Sequence, residues 1–264
     1  MKLDDCLLTD DQVMRFAVHG YHLVEPDLPS GLNETIYEAC SRLEENPGNG
    51  IYDAVPELRL VYEHPMVRGA LISLLGNDMT MNAHRHLHTT PANHLHSQTW
   101  HQDGTNVRHH QIRTVLAMYY PQDVTADNGP TVVLPGSHFR NAPTDRMATY
   151  ANIQGQVFLT VNAGTVAITH YDIWHAATLN RSNRPRHMLK FLFDRKSAPA
   201  APSWRHDPGE GARIALRRIT EMVGPPYGYN SDYYKEFELR REMWDWLIGV
   251  GTKVAAGAFK DMLG

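Results

Sequence analysis

Residues 112–120 read Ile-Arg-Thr-Val-Leu-Ala-Met-Tyr-Tyr, a short run of β-forming residues that ends at Pro121. Working outward from it, the same character returns in 79–88, 131–134, 156–161, 164–170 and 186–194, each segment set off by Gly, Pro or Asn. No long helical pattern separates these segments. Strands joined without crossover helices pair antiparallel, in a sandwich or barrel. The expected fold is therefore mainly β, with helices confined to the two ends of the chain.

Before residue 79 the period is helical. Thr9-Asp10-Asp11-Gln12 has the form of a capping box, with Val13, Phe16 and Ala17 as the apolar face of the helix it opens and His19-Gly20 as its end. Tyr21-His22-Leu23-Val24 follows as a first strand, stopped at Pro26. Helices are expected over about 33–43 and 65–75, the latter closed by Gly76-Asn77. The last sixty residues return to helical spacing. Ala215, Ile219, Met222 and Val223 form one stripe before Pro225-Pro226, and Tyr233, Phe237, Trp244 and Ile248 form another, broken at Gly249. One domain over 1–264 results, with N-terminal helices and first strand in 1–78, the β-core in 79–195 and a C-terminal helical extension in 196–264.

Composition narrows the function. At 264 residues and 42% hydrophobic, the chain can bury a core without disulfides or a structural metal, so any metal serves chemistry. Cys6 and Cys40 are too few for a disulfide framework and indicate a reducing compartment. With an acidic start lacking a signal sequence, a cytoplasmic location is expected. No apolar run approaches the roughly 18 residues of a membrane span. A net charge of −4 without a basic run argues against nucleic acid as the partner and leaves a small-molecule substrate. Histidine is over-represented, at 16 residues, and many fall between His84 and His110.

Trp100-His101-Gln102-Asp103-Gly104 contains His-x-Asp. In extended chain, residues i and i+2 point to one side, so His101 and Asp103 can meet one ion. Two imidazole nitrogens and one carboxylate on one face of an octahedron leave three open positions, which suits iron(II) oxygenases. The third ligand must come from elsewhere. Gly164–His175 reads as a strand and tight reversal, offering His175, with His170 as its rival. An arginine at the start of the next strand, Arg186, can face inward and grip a carboxylate in a bidentate fork.

These motifs resemble those of the phytanoyl-CoA dioxygenase family of iron(II)/2-oxoglutarate-dependent oxygenases. The likeness runs over roughly residues 8–195. It is carried by the LTDDQVMRFAVHGYHLV start, by Trp-His101-Gln-Asp103, by Asp127-Asn-Gly-Pro-Thr131-Val-Val-Leu-Pro-Gly-Ser-His138, and by His175 with Asn180 and Pro185-Arg186. The resemblance implies a double-stranded β-helix, a cupin-like jelly roll. It implies His101, Asp103 and His175 as the catalytic metal ligands, and Arg186 as the partner of the far carboxylate of 2-oxoglutarate. The step from His175 to Arg186 matches the family's spacing, which favours His175 over His170. Thr131 becomes a second donor to that carboxylate. Where the family often has a serine two residues after the distal histidine, this chain has Ala177. The implied cofactors are Fe(II), 2-oxoglutarate and dioxygen, and the implied reaction is hydroxylation with release of succinate and CO2. Relatives that halogenate lack the carboxylate ligand, so Asp103 favours hydroxylation.

Asn82, His84, His86 and His88 alternate with Ala83, Arg85 and Leu87, so as a strand they share one face. That face either lines a wet pocket, with His84 and His88 as cofactor-binding candidates, or looks at solvent. Arg108, His109 and His110 fit a polar loop near the barrel mouth, and His138 fits a structural turn. Two other functions use the same barrel: a metal-dependent cupin-type isomerase or lyase, and a non-catalytic jelly-roll binding module.

Overall fold

The computed structural model describes residues 2–104, 108–140, 151–223 and 230–250. The chain opens with α1 (Asp10–His19), β1 (Tyr21–Val24) and α2 (Leu32–Arg42). Three helices follow: α3 (Ile51–Ala54), α4 (Leu58–Tyr62) and α5 (Pro65–Leu75). The β-core comprises β2 (Thr80–Thr90), β3 (Thr114–Tyr119), β4 (Thr131–Val133), β5 (Val157–Phe158), β6 (Val166–His170), β7 (His175–Ala177) and β8 (Arg186–Asp194). Helices α6 (Pro208–Ile219) and α7 (Asn230–Leu247) close the chain.

Two antiparallel sheets face each other, one ordered β1-β6-β3-β8-β2 and the other β5-β4-β7. This is the jelly-roll arrangement with flanking helices that the sequence implies. Inside the large sheet, β3, β6 and β8 are covered on both faces, which explains their near-continuous apolar runs. The period of two still sorts their side chains. Val115, Ala117, Tyr119, Ile168, Leu189, Phe191 and Phe193 face the helices, while Met118, Ala167 and Met188 face the small sheet. On the helical side, the Tyr62 ring stacks on Phe191 at 4.1 Å and its hydroxyl donates to the Leu189 carbonyl at 2.7 Å. A helical layer thus clamps β8 from outside, leaving the opposite face of that strand to line a cavity.

The ends are secured by local chemistry. The Gln12 amide N–H donates to Thr9 Oγ1 while the Thr9 N–H donates to Gln12 Oε1, completing the capping box of α1. The first residue of α1 also holds the C-terminal segment. Buried Asp10 accepts from Trp204 Nε1 at 2.7 Å, His206 Nδ1 at 2.6 Å and the Asp207 N–H at 2.9 Å. Helix α7 carries a buried ion pair between Glu236 and Arg240.

The structure departs from the sequence reading in three places. Two short helices, α3 and α4, occupy 51–62, where four- and five-residue elements leave too few turns for a period to show. Met222 is 60% exposed, because α6 ends at Ile219 and the chain beyond it turns only Val223 back into the core; Pro225-Pro226 lies outside the described residues. Residues 175–177, read as following a reversal, form β7 and pair with β4.

Candidate metal centre and cavity

Backbone pairing brings the two candidate histidines together. The His101 N–H donates to the His175 carbonyl at 3.0 Å and the His175 N–H returns the bond at 2.9 Å, a mutually hydrogen-bonded antiparallel pair. On its other side β7 pairs with β4, with His175 opposite Val133 and Ala177 opposite Thr131. The imidazole centroids stand 4.3 Å apart. Each ring lies against the carbonyl two residues back: His101 Nδ1 is 3.0 Å from Thr99 O, and His175 Nδ1 is 3.1 Å from Ile173 O. A carbonyl only accepts, so each Nδ1 carries the proton and each Nε2 presents a lone pair. That is the tautomer a divalent metal needs, fixed by backbone acceptors in the way metal-ligating histidines usually are.

Both Nε2 atoms face Asp103. His101 Nε2 is 3.8 Å from Oδ1 and His175 Nε2 is 3.6 Å from Oδ2. One ligand atom from each of the three residues falls within 4.8 Å of the others, and among the described residues this is the cluster that could hold a metal. Burial alone pushes the Asp103 carboxyl up, but His175 and the Lys190 ammonium more than offset it and hold it at about 2. Burial pushes His175 down to about 4, so its ring is neutral at physiological pH. The donor set of two neutral nitrogens and one carboxylate, with water partly excluded, fits iron(II) chemically.

Gly104 permits the bend beside Asp103. A Cβ there would stand 2.0 Å from Asp172 Oδ1 and 2.8 Å from the Tyr171 ring. Asp172 is held in turn by His109 Nε2 at 3.0 Å.

The cluster opens onto a cavity of about 320 Å3 between the two sheets. Arg186, Met188 and Lys190 project into it from β8, His88 and Thr90 from β2, and Thr131 from β4. Arg186 is 1% exposed. Its Nε donates to the Gly129 carbonyl at 2.9 Å, while Nη2 is buried with no hydrogen-bond partner among the described residues. Gly129 holds φ at +75°, a conformation that favours glycine, and this turns its carbonyl toward the guanidinium. Thr131 Oγ1 accepts from the Tyr120 hydroxyl at 2.9 Å, which leaves its own proton to donate elsewhere. A half-open guanidinium beside a free hydroxyl proton is a ready receptor for a carboxylate.

His88 lines the cavity; burial, with the cations Lys190 and Arg186, pushes its pKa down to about 3, and its Nε2 is buried without a hydrogen-bond partner. His84 does not reach the cavity. It shares a face with His86 and His88, with successive ring centroids 4.0 and 6.1 Å apart, but of the three only His88 lines the cavity, and His84 lies past its end, exposed beside the β2 register slip between Met81 and Arg85. His170 lies apart from the metal cluster, with Nε2 on Gln111 O at 3.3 Å and Nδ1 accepting from the Asp172 N–H. His138 Nε2 donates to Ala17 O, a structural role. His109 pairs with Asp172 and His110 with Glu242, so neither lines the cavity. Sequence reasoning missed Lys190, whose Nζ donates to Asp103 Oδ2 at 2.6 Å, and the wall formed by His94, His96 and Gln98. Lys190 lies four residues after Arg186, so strand alternation could have found it.

The model of the family described as phytanoyl-CoA dioxygenase matches residues 16–188, well over half of the chain. The chain belongs to the phytanoyl-CoA dioxygenase family. Two mycobacterial proteins, uncharacterized protein Rv1501 of Mycobacterium tuberculosis and Mb1539 of Mycobacterium bovis, are each 33% identical over 96 residues. That stretch is 36% of this chain and 34% of theirs, so it spans about a third of those relatives. Among solved structures, the non-haem monooxygenase ThoJ superposes with a TM-score of 0.57 at 18% identity, covering 89% of this chain and 97% of ThoJ. The 2-oxoglutarate-dependent carbocyclase SnoK from nogalamycin biosynthesis superposes at 0.56 and 21% identity, covering 84% of this chain and 95% of SnoK. At such identities these structures bear on the fold alone. Among the described residues of this family member, no helix is long and apolar enough to cross a membrane.

Proposed function

We propose that this protein hydroxylates a small molecule at an iron(II) ion held by His101, Asp103 and His175, consuming 2-oxoglutarate and dioxygen. The observation that carries the reading is the convergence, on one cavity, of the three ligand atoms within 4.8 Å and the unpartnered Nη2 of Arg186. Bound iron(II), with 2-oxoglutarate as reductant and dioxygen as oxidant, supplies the power to oxidise a C–H bond while succinate and CO2 leave.

The chain's own residues position and protect. His101 and His175 present Nε2 in a tautomer set by Thr99 and Ile173, so no proton must leave before metal binds. Arg186 offers Nη2 to the far carboxylate, and Thr131 adds its hydroxyl proton, oriented by Tyr120. Ala177 lines the cavity where relatives often place a serine, so Arg186 and Thr131 share the carboxylate without it. The burial of His101, His175 and Arg186 limits water at the reacting face.

The test is succinate formation by anaerobically iron-loaded protein given 2-oxoglutarate, air and pooled metabolites, with His175→Ala as control. Stimulation by one pool, absent in the variant, is expected, with an oxygenated product. A product of unchanged oxygen content would assign desaturation or ring closure instead. Isomerisation or elimination without 2-oxoglutarate would replace the oxygenase reading with the isomerase or lyase reading.

A further inference from the structure

The cavity carries one more positive charge than it needs. Arg186 and Lys190 are both buried and both project into it, while the carboxylate beside them is Asp103. Loading does not correct the imbalance: a divalent metal adds two positive charges and doubly ionised 2-oxoglutarate removes two. A buried charge left uncompensated is costly, so proteins pair it, and here the missing anion has to come with a ligand.

The geometry points to Lys190, with His88 beside it, as the reader of an acidic group on the substrate, and hence to a small carboxylic acid as the substrate class. This rests on the oxygenase reading above. Four residues of strand separate Lys190 from Arg186, roughly 13 Å along β8, with Met188 between them. Lys190 is thus the remote cation once Arg186 holds 2-oxoglutarate. Its ammonium has three donors and one hydrogen-bond partner among the described residues, Asp103 Oδ2 at 2.6 Å. When Asp103 shares its charge with a metal, Lys190 gains capacity for a second anion at the reacting face. On β2, His88 lies opposite Met188 and His86 opposite Lys190, so the unpartnered Nε2 of His88 borders the same space. Burial keeps that ring neutral, so its one N–H can donate to an acid without adding a further buried charge. A cavity of about 320 Å3, near the lower limit for ligand pockets and shared with 2-oxoglutarate, restricts the acid to a small one.

The test uses Ni(II)-loaded protein saturated with 2-oxoglutarate, which binds without turning over. Benzoate, phenylacetate, hexanoate and N-acetylglycine are each titrated against their primary amides by calorimetry and ligand-observed NMR. At least one acid is expected to bind ten-fold or more tightly than its amide. Lys190→Met should bring the pair within about three-fold, while Lys190→Arg retains the preference; thermal melts confirm that both variants fold. No acid preference in any pair, or a preference that survives in Lys190→Met, overturns the assignment. So does a loss of 2-oxoglutarate affinity in Lys190→Met as large as the loss for the acid, which would make Lys190 part of the co-substrate site. Failure of 2-oxoglutarate itself to bind appears in the first titration, before any acid is added, and marks failure of the oxygenase reading.

Discussion

Replacing Arg186 by Met removes a guanidinium that is 1% exposed and has one hydrogen bond, from Nε to the Gly129 carbonyl. Truncating one partner of a buried, hydrogen-bonded charge pair costs about 2–5 kcal/mol, and each 1.4 kcal/mol is ten-fold. The variant should therefore bind 2-oxoglutarate at least roughly 30-fold more weakly. Metal affinity should change little, because the hydrogen bond of Arg186 goes to the Gly129 carbonyl and not to a metal ligand. Stability should move the other way. The metal-free chain buries a cation with no carboxylate partner among the described residues, and burial already pulls its pKa down. Replacing even a buried ion pair with apolar side chains of similar volume is often neutral or stabilising by about 1–4 kcal/mol, and a cation without a carboxylate partner has no pairing energy to lose. Loss of the bond to Gly129 returns about 1 kcal/mol. The net expectation is a melting temperature equal to the wild type or raised by several degrees, at about 2–4 °C per kcal/mol for a chain of this size. Anaerobic calorimetry with 2-oxoglutarate and scanning calorimetry of the metal-free protein read the two halves. A variant that melts far lower, or that binds 2-oxoglutarate within about three-fold of wild type, would refute the assignment of this arginine as a carboxylate receptor.

Gly104→Ala drives a Cβ to 2.0 Å from Asp172 Oδ1 and should displace Asp103, weakening Mn(II) binding about ten-fold or more in an EPR titration. Asp10→Ala unties Trp204, His206 and Asp207 from α1; a loss of roughly 3–5 kcal/mol in urea denaturation is expected, with metal affinity unchanged. Acid should destabilise the metal-free protein well above the carboxylate range. Burial depresses His88 to about 3 and His170, His175 and His187 to about 4, below the ordinary 6.5. Between those values the unfolded chain binds protons that the native chain does not, so stability is full above pH 6.5 and falls as pH drops toward 4. Melting temperatures at pH 7.5, 6 and 5 should decline in that order.

The antiparallel core and the helical ends were legible because local signals agreed with tertiary ones. Thr9 and Gln12 spell out a cap that the structure uses, and β3 and the helix-facing side of β8 (Leu189, Phe191, Phe193) are apolar because they are covered. The pairing of His101 with His175 was legible only through motif likeness. No local pattern announces that residues so far apart exchange two backbone hydrogen bonds. Lys190 and Arg186 share a face by simple alternation, yet Lys190 sits in the apolar run Met188–Phe193 and was absorbed into it. The face shared by His84 and His88 splits between the two readings the sequence offers, His88 in the cavity and His84 at solvent, because alternation fixes a shared face but not how far along the strand a cavity extends. The wall of His94 and His96 is set by the His94–Asn180 bridge, a long-range contact that sequence spacing does not encode.

An anaerobic titration of Fe(II) and then 2-oxoglutarate, followed by the charge-transfer absorption that arises only when the 2-oxo acid chelates the metal, bears most directly on the metal centre. One iron per chain is expected, with a band that requires both additions and is absent in His175→Ala and Asp103→Ala. A folded wild-type protein that develops no band, or an equal band in the His175→Ala variant, would contradict the centre placed at His101, Asp103 and His175.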